Sequence, residues 1–561
     1  MGMFRFLDGT PERAHRFMDV GVAPWWTYEK IRLSFWRPIT ALTHVLDYGL
    51  WPSSSELMHL QSMLWFALLV VAAGMLYRRI IGVTWAAGLA AFLFAIDDVH
   101  GAPVFWLANR HALIAAIFGI LTLCAHDHGR KGDGEKWKYL APMLLFLGLL
   151  SSEATAAAFG YLLSYTLFLD TGPMKERIKV LAPYIFLLII WRVVYNILGY
   201  GASGSDTYVD PIREPLRFCF AVLQRLPILL FGGLAWPPAD IYLFFSTHVA
   251  PIFAVTAIVL ILAACGLFLP IWRHCKRSHF WMLGIVLSAL PFCAAIPSNR
   301  NLTLVAFGAV GLLAQWIYGL LHSSASLPQS RLWRIPVSIG CCILLFIHII
   351  CAPLSLRNQL NSLRKIQPAV EQLVDIGISD RHIAQQDVIL VNPPTGLFIS
   401  YLLPIRFLNH LPIPAHIRML APGYDDLQLY RKDENTLVVR PEGGYFRRPG
   451  PLPREQGTIA SHIGPSNILR HFESLFRSET HPMRLGQKVK LNGVTIEITG
   501  LTEDGRPAEA TFRFDFDLEN NALIWLRWNS EEGRYVNYVP PRAGETVTVK
   551  GTDFSNIFVQ K

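Results

Sequence analysis

The sequence predicts a multi-spanning α-helical membrane protein, with about ten transmembrane helices, followed by an extracytoplasmic domain of α/β and antiparallel β structure. Three observations carry this. Only 16% of the 561 residues are charged, against about 25% in soluble domains, while 52% are hydrophobic and the mean hydropathy is +0.35. The apolar residues collect in long runs before residue 355, and the chain beyond it has ordinary polarity and frequent turn signals. Lys and Arg fall in alternate loops between the runs. A purely soluble enzyme is excluded, and 16 Trp with 34 Phe exclude a disordered or fibrous chain.

Residues 1–57 are polar and are read as an outer loop ending in an interfacial helix. That helix opens at Phe35-Trp36-Arg37-Pro38-Ile39-Thr40 and runs through Leu42, Val45, Leu46, Leu50 and Trp51. The transmembrane region covers 58–355. Its spans are read at 62–77, 83–96, 104–124, 139–150, 155–169, 180–198, 250–272, 280–296, 302–321 and 335–354. The stretch 216–245 carries Arg217, Arg225, Pro237 and Pro238, so it is read as interfacial or re-entrant rather than as two further crossings.

Orientation follows from the basic loops at Arg78 and Arg79, 130–138, 175–179, 273–277, and Arg331 and Arg334, which are assigned to the cytoplasm. The net charge of +9 is thereby a topology signal, not a nucleic-acid footprint. Everything after residue 354 then lies outside, as do residues 1–58. No span precedes those residues to carry them across, so a first transmembrane helix is expected upstream of Met1. The eight cysteines all sit in or beside apolar runs, which reads as buried small residues without disulfide or metal spacing.

The outer region divides at a Pro-rich linker, 449–453, into an α/β part, 356–450, and a β module, 451–561. An amphipathic helix is expected over 363–376 and strands over 387–391 and 436–440. Asn492-Gly493 predicts a hairpin within 487–499. Asp504-Gly505 and Asn520-Asn521 flank two more strands. Phe512, Phe514 and Phe516 alternate with charged residues, the pattern of one strand face on a core.

Chemistry-bearing residues gather at the outer ends of the spans. Arg37 precedes Pro38 at a helix start, where a guanidinium and backbone N–H groups suit a phosphate. Asp97, Asp98 and His100 close one span, and Trp106 and Arg110 begin the next. Two adjacent carboxylates suit a base or a divalent cation. Ser151-Ser152-Glu153 and Ser298-Asn299-Arg300 close hairpins on the same side. His126-Asp127-His128 falls in a basic inner loop and reads as a solvated turn.

The run Arg37-Pro38-Ile39-Thr40, then Met58-His59-Leu60-Gln61-Ser62, resembles the first outer loop of the polyprenyl-phosphate-dependent C-type glycosyltransferases. The nearest likeness is to bacterial relatives of the tetratricopeptide-bearing protein O-mannosyltransferases. It continues through Val99-His100, Val104, Trp106, Arg110 and Leu113, then Ser151-Ser152-Glu153, and Arg300 with Gly308. The resemblance implies a hexosyltransferase of a bacterial plasma membrane, moving a sugar from a lipid-linked donor to a glycan, lipid or protein acceptor. Arg37 would then contact the lipid phosphate, with His100, Trp106, Arg110 and Arg300 also binding substrate. Asp97, Asp98 and Glu153 would act as base or metal ligands. A transporter or flippase, and a non-catalytic envelope scaffold, are the alternatives. The first would favour mid-span charges and two similar halves, neither of which stands out here.

Overall fold

The computed structural model describes residues 3–273, 275–322, 327–448, 450 and 463–552; of the linker expected at 449–453, only Gly450 is among them. Seven helices among the described residues are long and apolar enough to cross a membrane. They are Ser55–Ile80, Leu107–Lys131, Met174–Ile197, Pro215–Leu234, Val249–Trp272, Thr303–His322 and Arg331–Arg364. Trp85–Ala95 and Asp98–Phe105, bent by 44° at their break, make an eighth if they form one span. These helices form a membrane-embedded part.

The expected count of about ten falls because three segments are short helices. Lys136–Ser151, Ala158–Phe168 and Lys276–Ala289 have 16, 11 and 14 residues. Each is continued by, or continues from, a 3-10 turn: Glu153–Ala157 joins the first two and Leu290–Ala294 follows the third. The second and third pack on their neighbours through small residues, whereas the first keeps Tyr139, Met143 and Phe146 exposed. A side chain at Gly160 would stand 2.7 Å from Leu287 Cβ, and one at Gly308 would collide with Tyr161 Oη. Gly308, part of the family likeness, therefore has a packing reason of its own.

Pro215–Leu234 passes the length test, yet both ends meet the side that carries the C-terminal domain. Near its start, Arg217 pairs with Asp206, which also accepts hydrogen bonds from Ser478 Oγ (2.6 Å) and Glu479 N (3.0 Å). Beyond its end, Phe244 O accepts from Asn467 Nδ2 at 2.9 Å and Gly464 N at 3.0 Å. The helix lies along that side, in keeping with the interfacial assignment.

The helix Pro38–Leu50 has its polar face inward. Thr40, Thr43, His44 and Asp47 are buried, whereas Leu42, Val45, Leu46, Tyr48 and Leu50 are exposed. Such a distribution suits a helix whose outer surface meets lipid and whose inner surface makes ion pairs. At the opposite end of the bundle, the expected solvated turn at His126-Asp127-His128 is instead ordered helix. Asp127 is 1% exposed and accepts from Arg79 Nε (2.5 Å) and Tyr165 Oη (2.8 Å), because the neighbouring helix ends bring those donors to it.

The N-terminal segment belongs to the C-terminal domain. Its strands β1 (Arg5–Asp8) and β2 (Arg32–Ser34) form a small antiparallel sheet with β3 (Gly201–Ser203). Trp25 and Trp26 are buried against Tyr445, and Arg477 Nε donates to Trp26 O at 2.6 Å. Asp19 accepts from Asn492 N at 2.7 Å and from Arg418.

The C-terminal strands are β4 (Asp387–Leu390), β5 (His416–Met419), β6 (Leu427–Arg431), β7 (Thr436–Pro441), β8 (Lys488–Leu491), β9 (Val494–Leu501), β10 (Pro507–Phe514), β11 (Leu523–Asn529), β12 (Arg534–Asn537) and β13 (Thr546–Val549). One sheet has the order β13-β6-β7-β10-β9-β8, the other β12-β11-β4-β5. The segments 356–450 and 451–561, separate in the sequence reading, thus share both sheets. Nor is the second segment purely antiparallel: β11 leaves it to pair parallel with β4. The cause is in β4, whose Val388, Ile389 and Leu390 are fully buried and need a neighbour on each side. The hairpin at Asn492-Gly493 forms as expected, with Gly493 at φ +78°. Phe512 and Phe514 are in the core and Phe516 is exposed.

Glu473, at the end of the helix Pro465–Glu473, is buried, and burial pushes its carboxyl up to about 7. Oε1 accepts from Gly396 N at 3.0 Å, which offsets only part of that cost. The folded-state value lies above the unfolded one, so stability falls as pH rises from about 4.5 through about 7. The expected size is a few kcal/mol, at about 1.4 kcal/mol per unit. Glu473→Gln should flatten this dependence, measured as melting temperature in detergent between pH 5 and 8.

Candidate functional site

Four side chains singled out from sequence meet at one cavity of about 310 Å3 on the domain-bearing side of the bundle: Arg37, Trp106, Glu153 and Arg300. Each is set by its local chain. Ser152 caps the 3-10 turn Glu153–Ala157 by accepting from Ala154 N at 3.3 Å, and Thr40 Oγ1 donates to Ser151 O at 2.8 Å. These bonds hold Glu153 beside Arg37, whose Nε donates to Oε2 at 3.0 Å and whose Nη2 bonds Oε1. The Arg37 guanidinium also lies 4.6 Å from the Phe35 ring centroid. Burial opposes its charge, but the Glu153 carboxylate holds its pKa above the ordinary guanidinium value.

Arg300 is turned toward the cavity by its neighbours. Asn299 Oδ1 accepts from Ala239 N at 2.7 Å, while its Nδ2 donates to Asp98 at 3.0 Å. Ser298 Oγ donates to Asp240 at 2.6 Å. With both preceding residues fixed, the Arg300 guanidinium lies 5.3 Å from the Trp106 ring centroid. Among the described residues no carboxylate lies within ion-pair distance of it. Among the described lining residues it is thus the arginine without a paired carboxylate, placed to meet a ligand.

The structure adds residues that the sequence reading passed over. Arg192 Nη2 donates to both oxygens of Asp210 at 2.7 Å, and both residues line the cavity. Arg192 interrupts the apolar span Ala182–Ile197, and a charge at such a position is itself a signal of function. His111, also in the lining, pairs with Ser152 Oγ at 3.2 Å. Aromatic side chains, among them Phe4, Tyr195 and Tyr208, close the walls. Phe4 and Phe6 come from the N-terminal segment, far from the motif residues in sequence.

The other candidates are elsewhere. Asp97, Asp98 and His100 are buried and do not line this cavity. Asp97 Oδ2 bonds His348 Nδ1 at 3.0 Å; Asp98 Oδ2 accepts from Asn299 and, at 2.7 Å, from Ser355 Oγ. His100 Nε2 meets Phe94 O at 2.8 Å. Asp97 and Asp98 thus bind the bent helix pair to the long helix Arg331–Arg364, while the His100 bond stays within the pair. Arg110 is fully buried, and its donors go to Ser62 Oγ (2.9 Å), Asp47 Oδ2 (2.5 Å), Met58 O (2.6 Å) and Gln61. A divalent cation at Asp97 and Asp98 would have to displace His348, Asn299 and Ser355. Among the described residues no group of three or more His, Cys, Asp and Glu side chains is placed to hold a metal ion.

No family model matches the chain, and no curated protein matches it. The cavity is therefore interpreted from its own chemistry.

Proposed function

We propose that this protein is a membrane glycosyltransferase that moves a sugar from a polyprenyl-phosphate donor to an acceptor hydroxyl at the Arg37–Glu153–Arg300 cavity. The observation that carries this reading is two carboxylates and three guanidinia around one aromatic-walled space, with no carboxylate within ion-pair distance of Arg300 among the described residues. Arginine forks match phosphate oxygens bidentately. Aromatic faces such as Trp106 and Tyr208 suit a sugar ring.

In the proposed reaction the donor phosphate is held first by Arg300 and then takes Arg37 from Glu153. Freed from that pair, Glu153 accepts the proton of the acceptor hydroxyl as its oxygen bonds the sugar's anomeric carbon. The bond from that carbon to the phosphate oxygen breaks, and polyprenyl phosphate departs with its charge on Arg37 and Arg300. The basic loops on the opposite side support an outer-face reaction, and the family resemblance supports a bacterial plasma membrane. The acceptor is a hydroxyl of the envelope.

The test uses the full chain in lipid nanodiscs, a panel of undecaprenyl-phosphate hexoses with envelope glycan, lipid and protein acceptors, and release of undecaprenyl phosphate as readout. Arg300→Ala is expected to lower turnover by about 10- to 100-fold, the worth of a charge-assisted hydrogen bond. No release from any donor by the wild-type protein, or undiminished release by Arg300→Ala, would overturn the assignment.

A further inference from the structure

A second cavity, of about 670 Å3, lies between the N-terminal segment, the start of the helix Pro215–Leu234 and the loop at His481. Lys30, Arg32 and Arg213 line it from two different parts of the chain. Among the described residues, none of these three side chains has a hydrogen bond or an ion pair. Arg32 Nε is buried without a partner. It lies flat against the backbone at Gly9, where φ is +86° and an added Cβ would come within 2.8 Å of that nitrogen. Burial and the like charge of Arg213 push the Arg32 guanidinium below its ordinary pKa.

The carboxylates of Asp8 and Asp210 offset only part of this. Asp8 accepts from Thr10 N (3.2 Å) and Thr10 Oγ1 (2.6 Å), Asp210 is paired with Arg192, and Glu214 accepts from Arg217 at 2.7 Å. Three cations thus converge with their local acids already engaged. A half-buried guanidinium without a direct partner is costly, and a bound anion lowers that cost.

Directly beside the cations is an apolar surface. Leu216, Phe220 and Leu223 are each at least 70% exposed. Their spacing of four and three residues puts them on one face of the helix. Leu216 itself lines the cavity, so head and stripe are continuous. A purely soluble anion would have no use for the stripe, and an uncharged lipid would have none for the cations.

We infer that this cavity binds the phosphate of a lipid, with Lys30, Arg32 and Arg213 on the phosphate and the chain lying along Leu216, Phe220 and Leu223. The site is separate from the sugar-transfer cavity, and the inference stands whether or not that reaction occurs. Its ligand is phosphate on a hydrocarbon chain, supplied either by a bilayer phospholipid or by a polyprenyl carrier.

The experiment uses the full chain in phosphatidylcholine nanodiscs, plain or containing dioleoyl phosphatidic acid or undecaprenyl phosphate. Thermal unfolding and lipid retained in native mass spectrometry are read. At least one of the two phosphate lipids should raise the melting temperature saturably, and the one that does identifies the source. Arg32→Ala with Arg213→Ala should raise the lipid needed for half-saturation by about tenfold or more. Lys30→Ala with Arg213→Ala, both exposed positions, is the variant to use if the first fails to fold. Leu216→Gln should weaken lipid binding with the charges intact. Equal melting in all three discs overturns the inference, as does an equal shift with inorganic phosphate alone or unchanged lipid dependence in the variants.

Discussion

Glu153→Gln is expected to lower kcat for sugar transfer by about 10²- to 10⁴-fold, the range for loss of a general base. The amide keeps the size of the side chain and the carbonyl that can accept from Arg37, so the protein should still accumulate. Donor KM should stay the same or fall. Under the proposed reaction the donor phosphate competes with Glu153 for Arg37, whose Nε now donates to Oε2 at 3.0 Å; the amide would compete less. A fall in kcat at constant or lower KM separates a base from a residue that merely shapes the cavity. Unchanged kcat in a well-expressed variant would rule out Glu153 as the base.

Arg110→Ala and Asp47→Asn should each destabilise the protein by about 3–5 kcal/mol, the cost of leaving one partner of a buried pair behind. Arg110 ties three elements together. It reaches Asp47 in the helix Pro38–Leu50 and Met58 and Ser62 in the helix Ser55–Ile80, from the start of the helix Arg110–Lys131. Replacing both partners, as Asp47→Leu with Arg110→Met, should be better tolerated than either single change, because no charge is left unpaired. Fluorescence-detected size exclusion after a heat ramp reads all three. If the double variant retains sugar transfer, Arg110 is a positioning residue; if stability is normal in the single variants, the pair is not what holds these helices.

The difference between Arg110 and Arg300 was invisible in the sequence, although both follow a hairpin on the same side of the membrane. What separates them is whether partners fill the guanidinium's hydrogen bonds. Arg110 finds Asp47 63 residues away, whereas Arg300 lies against a Trp106 face with no carboxylate at ion-pair distance among the described residues. The same holds for the acids. Asp97 and Asp98 looked available because His100 is the one nearby side chain in the sequence that could compensate two carboxylates. His348 and Ser355, more than 250 residues on, supply the compensation. Arg192 was a different kind of miss, since a charge inside an apolar run carries its own signal.

In the C-terminal domain the local features were legible and the pairings were not. Alternation and Asn492-Gly493 defined the hairpin of β8 and β9, since turn chemistry acts over a few residues. The parallel pairing of β11 with β4, across more than 130 residues, depends on which buried edge needs a neighbour. No local pattern encodes that choice.

By itself the sequence determined the partition between lipid and water, because hydropathy and loop charge act segment by segment. It also placed Arg37, Glu153, Trp106 and Arg300 on one side of the bundle. Only the tertiary structure decided which of the ionisable groups are spent on holding helices together and which are left facing a cavity. It likewise made the N-terminal segment part of the C-terminal domain and the wall of the site. The physical reason is common to both: a charge or an apolar face is satisfied by whatever the fold brings beside it, and those partners are remote in the chain.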